Sequence, residues 1–114
     1  MPIALTAHDK IARLYEDLGR DMEFVRQIVS IFEGEAEAFA TAVAVDIAPD
    51  DLALIAHRFA GSSAQVASDE FYRSVCAVEI SARDGKTNVA MLESVLADLP
   101  TMSASLRQWV AQNG

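Results

Sequence analysis

His57 is the residue in this chain whose type and surroundings most clearly offer chemistry. It lies in the run Leu52-Ala53-Leu54-Ile55-Ala56-His57-Arg58-Phe59-Ala60-Gly61-Ser62-Ser63-Ala64-Gln65-Val66-Ala67. At about 100° per residue of helix, Leu52, Ile55, Phe59 and Val66 fall within roughly 60° of one another and mark a core face. The same count turns His57 about 160° from the centre of that face, onto the outside. Ala53 and Gly61 stand one turn either side of it, and Ala60, Ala64 and Ser68 complete the arc. An exposed helix face normally carries long, charged side chains, whereas this one is small and flat with an imidazole above it. Gly61 costs about 1 kcal/mol relative to alanine in a helix interior, and close approach by another protein is the simplest reason to keep it. Imidazole with one unprotonated nitrogen is a competent nucleophile, so the chemistry on offer is nucleophilic. The competing reading is a plain surface histidine on a face kept small by the helix propensity of alanine. His8, in a first helical turn with no organised surroundings, is assigned nothing.

Helical periodicity supplies the elements that must position this face. Thr6 with Asp9 forms a capping-box pattern ahead of Ile11, Leu14, Tyr15 and Leu18, and Gly19 suits the helix end. Asp21 caps a long second helix with the stripe Val25, Ile28, Val29, Phe32, Ala36, Phe39 and Val43; it tolerates Gly34 and stops near Pro49. Asp50 or Asp51 caps the third helix, which runs to about Ala67. Asp69 caps a fourth that buries Phe71, Val75, Val78 and Ala82 and ends at Gly85. Thr87 or Asn88 opens a fifth, with Val89, Leu92, Val95, Leu96 and Leu99. Its stripe resumes after Pro100 at Met102, Leu106 and Trp109 or Val110, as one kinked helix or as two. The expected fold is all-α: an up-down-up-down four-helix bundle with a short extra N-terminal helix over one end. Residues 1–114 form one domain in this reading.

Composition narrows the partners. The formal net charge of -8 makes nucleic acid and anionic lipid poor ligands. No apolar run approaches the roughly 18 residues of a membrane span. Met1 to Lys10 lack the pattern of a signal peptide, and the single cysteine, Cys76, excludes an internal disulfide. A cytoplasmic, freestanding protein is expected. A monomer is expected as well, because this reading uses every strong apolar stripe inside one four-helix bundle.

The segment His57-Arg58-Phe59-Ala60-Gly61-Ser62-Ser63-Ala64 resembles the signature of the histidine phosphotransfer (HPt) family of two-component phosphorelays, His-x-Leu-Lys-Gly-Ser-Ser-Ala. Phe71 to Gly85 resembles that family's next helix, and Phe24-Val25 through Phe32 its long preceding one; the likeness in order and spacing runs from about Leu5 to Leu106. The resemblance implies a phosphocarrier and not an enzyme. His57 would accept a phosphoryl group on Nε2 from a receiver-domain aspartate and pass it to another receiver. No cofactor or metal would belong to this chain, since the receiver supplies Mg²⁺. The partners implied are response-regulator receiver domains and a hybrid histidine kinase. They would dock over Ala53, Ala60, Gly61, Ala64 and Ser68.

Two positions depart from the family pattern. Ala60 stands where a lysine is usual, and Ala67 where glycine is common. Phosphohistidine adds negative charge to an acidic chain, so a cation is wanted nearby. Arg83 falls where some members keep a basic residue beside the histidine, and Glu79, one turn earlier, is placed to pair with it. Arg58 points about 100° off the imidazole, and Gln65 could reach a phosphoryl oxygen. The missing lysine leaves a rival reading, a non-phosphorylated HPt-like adaptor that docks receivers. A histidine-kinase dimerisation hairpin would need an ATPase domain and a second chain. A carboxylate-bridged metal bundle would need Glu-x-x-His pairs, and Leu54 precedes His57 by three.

Overall fold

The computed structural model describes residues 3–114; Met1 and Pro2, counted in the expected domain, lie outside the described residues. Five helices follow in order: α1 (Ala7–Asp17), α2 (Met22–Ala44), α3 (Pro49–Val66), α4 (Asp69–Arg83) and α5 (Val89–Asn113), with no strand among the described residues. The chain is all-α, as its periodicity predicts.

The helix ends follow local chemistry. Thr6 and Asp9 form a full capping box: the Asp9 amide donates to the Thr6 hydroxyl at 3.1 Å and the Thr6 amide to the Asp9 carboxylate at 3.0 Å. Asp21 and Asn88 accept from the amides of Phe24 and Met91, which selects Asn88 over Thr87. Gly19 (φ 67°) and Gly85 (φ 75°) provide the left-handed geometry that follows α1 and α4. Pro100 sits inside a continuous α5, so the choice between one helix and two resolves to one.

Three boundaries differ from expectation. α2 stops at Ala44, and Asp46 turns the chain at φ 53° before Pro49 is reached. α3 has Pro49 at its start and no side-chain cap at Ala48, so Asp50 and Asp51 lie in the first turn and not at the cap position. There they complement the helix dipole. Ser68, not Asp69, caps α4 by accepting from the Phe71 amide at 3.1 Å. Asp69 is thereby released for the tie to α1 described below.

α3 packs against α1, α2 and α4, while α5 meets α1, α2 and α4. At the centre, Phe59 of α3 touches Phe32, Phe39 and Phe71, with ring centroids 5.4 to 5.7 Å apart. Leu52, Phe59 and Val66 are buried, and Ile55 is half-buried. The predicted core face of α3 is therefore the real one. No helix among the described residues is long and apolar enough to cross a membrane.

Candidate functional site

With neighbours on three sides, α3 beyond its exposed first-turn Asp50 and Asp51 keeps a narrow strip in solvent: Leu54, His57, Arg58, Gly61, Ala64 and Gln65. These positions recur at three- and four-residue steps along one helix face. His57 stands on this strip with its side chain 66 % exposed.

The strip is rotated relative to the predicted arc. Ala53 and Ala60 are buried, at 7 % and 6 % exposure, and not exposed as their wheel positions imply. Helix packing accounts for this: the wheel gives direction from one core face, but flanking helices also cover the shoulders, where small residues permit close approach. Ser68 also leaves the arc, because α3 has ended at Val66 and Ser68 is occupied as the α4 cap. Gly61 and Ala64 remain on the exposed surface. A Cβ placed on Gly61 would meet nothing within 4 Å, so internal packing does not require glycine there.

Across the shoulder lies α4. His57 Nδ1 is 3.1 Å from Glu79 Oε2, and Arg83 Nη2 pairs with that same oxygen at 2.5 Å. A carboxylate only accepts hydrogen bonds, so the contact with His57 requires a proton on Nδ1. In the neutral ring this leaves the lone pair on Nε2, which makes no hydrogen bond among the described residues. Glu79 is the less exposed partner, at 15 % against 66 % for His57 and 59 % for Arg83. One carboxylate oxygen of Glu79 thus links His57 and Arg83. Arg58 and Gln65 are both exposed on α3, Gln65 two turns further on.

Two features of the site escape sequence reading. Leu54, one turn before His57 and 60 % exposed, places an apolar side chain on the strip. Lys10 of α1 reaches α3, where its ammonium donates to the Ala64 carbonyl at 3.1 Å and pairs with Asp69 at 2.9 Å. It also lies over the Tyr72 ring, 5.3 Å from the centroid. A shallow depression beside this contact is lined by Lys10, Arg13, Ala64 and Gln65. No local spacing relates Lys10 to Ala64, which is 54 residues away.

The hydroxyls of the signature-like segment point inward. Ser62 donates to the Phe59 carbonyl at 3.1 Å, whereas the fully buried Ser63 hydroxyl has no partner among the described residues. Cys76 is half-buried against the core. Among the described residues, no group of three or more His, Cys, Asp and Glu gathers as a metal site. Comparisons with protein-family models, curated proteins and solved structures return no match for this chain.

Proposed function

We propose that this chain is a phosphocarrier of the histidine phosphotransfer kind, accepting a phosphoryl group on His57 from the aspartyl phosphate of a receiver domain and handing it to another receiver. The observation that carries the reading is the imidazole itself. His57 stands well exposed with Nδ1 engaged and Nε2 open, on a strip where Gly61 and Ala64 leave room for a partner. Phosphoryl transfer depends mainly on in-line positioning and charge neutralisation. A carrier therefore needs an accessible nucleophile and a surface on which the partner can align. In this reading α2 to α5 form the up-down-up-down four-helix bundle and α1 covers one end. Short connections and the contact between α2 and α5 favour that arrangement. The protein would act in the cytoplasm, without a cofactor of its own, and Mg²⁺ would reside on the receiver. Ala53 and Ala60 would shape the docking surface from beneath, as close-packed supports under the exposed strip.

A docking-only role is the second reading, favoured by charge. No lysine stands at Ala60, and Arg83 pairs with Glu79. Incubation with phosphorylated receiver domains separates the two. In the phosphocarrier reading the wild type acquires an acid-labile, base-stable label. His57→Gln loses that label while its circular dichroism and melting temperature stay nearly unchanged, and His8→Gln has no effect. Labelling retained in His57→Gln would remove His57 from the mechanism. A wild type that binds receivers without acquiring label would be the adaptor.

A further inference from the structure

α3 carries no basic residue in its last turn, and its final carbonyls lie where the chain breaks away toward α4. The last four carbonyls of a helix have no donor within it and must find one elsewhere. The Ala67 amide supplies the Ser63 carbonyl at 2.9 Å. The Ser68 amide, which would serve Ala64 if the helix continued, donates to no backbone carbonyl among the described residues, and the Asp69 amide turns away to Leu5. The Ala64 carbonyl is met instead by the Lys10 ammonium at 3.1 Å, from a residue 54 positions earlier. We infer that Lys10 is a positioning residue for the His57 strip. Its ammonium caps the C-terminal end of α3 from another helix and fixes Ala64 and Gln65 where a receiver would dock. The cap stands on geometry alone; its purpose rests on the phosphocarrier reading.

Three contacts hold the ammonium. It donates to Ala64, pairs with Asp69 at 2.9 Å and lies 5.3 Å from the centroid of the Tyr72 ring. The Lys10 side chain is 11 % exposed, low for a residue type that is rarely buried. Immobilising so flexible a side chain costs entropy, which the three contacts must outweigh. A cation at a helix C-terminus also complements the negative end of the macrodipole. α3 thus takes carboxylates at its first turn from its own Asp50 and Asp51, and the matching cation at its last turn from α1.

The cap acts on one end of the strip. Ala64 lies two turns beyond His57 on the same exposed face. Without the ammonium its carbonyl must turn to water, and the last turn is free to fray. Fraying would stop short of the imidazole, because Phe59 is locked among Phe32, Phe39 and Phe71. Lys10 therefore governs docking at Ala64 and Gln65 and leaves the reactivity of Nε2 alone.

Nitrogen-15 spectra of the lysine ammonium groups test the cap in the wild type. Lys86, the other lysine of the chain, is exposed and serves as the internal reference. In mildly acidic buffer the Lys10 protons should exchange with water at least roughly tenfold more slowly than those of Lys86, as a charged hydrogen bond implies. Lys10→Met keeps the apolar stem over Tyr72 and removes the charge. Amide exchange at Gln65, Val66 and Ala67 should then quicken roughly three- to tenfold while that of Phe59 holds. Lys10→Arg, which retains a cation, should recover part of the protection. Asp69→Asn keeps an acceptor for Leu5 and leaves the ammonium free to reach Ala64, so the same amides should stay protected. For receiver-to-His57 transfer, Lys10→Met should raise KM roughly three- to tenfold at unchanged kcat. Labelling by phosphoramidate, a small donor that needs no docking, should keep its wild-type rate. Lys10 protons that exchange as fast as those of Lys86 would overturn the inference whether or not the variants fold. Unchanged exchange at Gln65 to Ala67 in a folded Lys10→Met would do the same. Faster exchange with an unchanged KM would leave a cap without a positioning role and overturn that role. If the exchange data behave as stated but phosphorylated receivers leave the wild type unlabelled, the cap stands and the relay reading falls.

Discussion

Gly61 lies on an exposed helix face in a position any residue could occupy, since a Cβ there meets open space. Replacing it should help the fold: Gly61→Gln is expected to raise stability by up to about 1 kcal/mol on helix propensity. The same side chain would stand one turn from His57, where a receiver must come close, and should slow transfer by at least tenfold. Thermal melts with receiver-to-His57 transfer rates check both halves. Full-speed transfer by a stabilised variant would show that the small face reflects helix propensity alone. At this scale the legible part of the site was local. Spacing turned His57 outward and put Glu79 within reach of Arg83, and both are observed. The His57–Glu79 contact, 22 residues apart, depends on how α4 lies beside α3, and no periodicity within one helix encodes that. The exposure of Ala53 and Ala60 was misread for the same reason, because burial at a helix shoulder is decided by the neighbour.

Among the elements, α1 is held on the others by a small set of contacts. Its anchors are buried Ile11, the Tyr15–Trp109 edge contact at 5.5 Å, and a polar tie at Asp69. The Asp69 carboxylate accepts from the Leu5 amide at 2.8 Å and pairs with Lys10, while the Asp69 amide donates to the Leu5 carbonyl at 3.0 Å. Hydrogen bonding from Leu5, and then from Lys10, holds the Asp69 carboxyl below its ordinary 3.8. Asp9 is likewise lowered by its bonds to Thr6 in the capping box. A carboxyl lowered in the folded state contributes fully above its unfolded value and loses that contribution as pH falls through the folded one. The attachment of α1 should therefore be indifferent to pH above about 5 and weaken below 3.8, with hydrogen exchange at Leu5 and in α1 rising before that of α3. Asp69→Ala should loosen the same amides at neutral pH without a comparable change around Phe59. Exchange that ignores both the acid and the substitution would place the anchorage wholly in Ile11 and Tyr15. Helix existence was readable because apolar stripes and caps are local. The Ser68 cap was missed because Ser68 and Asp69 are both good caps in adjacent positions, and the tie to Leu5 that occupies Asp69 is a tertiary contact.

For the molecule as a whole, the Cα radius of gyration of 14.2 Å is near the roughly 13 Å expected of a packed chain this long. The core is organised around Phe59, two residues from His57, so the residue that faces solvent and the one that centres the core share one turn of α3. Not every apolar stripe is consumed there, contrary to the reading that favoured a monomer. Phe24, Ile31 and Ala38 recur every seven residues along α2, Val45 follows at its C-cap, and all four are exposed. The stripe was hidden in the sequence because α2 is apolar over much of its circumference, and periodicity cannot separate a second face from a broad first one. A seven-residue repeat invites comparison with a coiled coil, which needs apolar knobs at two positions of each heptad. The other position here is held by Gln27, Gly34 and Thr41, so half the seam is polar or lacks a side chain. Stable soluble interfaces typically bury about 800 Å² per partner, and one row of four side chains along a single helix falls short of that. The net charge of -8 adds repulsion between copies. A monomer at micromolar concentration is therefore still expected, though for a different reason than complete burial of its apolar faces. Sedimentation velocity across roughly a tenfold concentration range should show a single species at the monomer mass. Ile31→Glu should leave that species unchanged. A stable dimer abolished by Ile31→Glu would show that the heptad stripe is a seam after all.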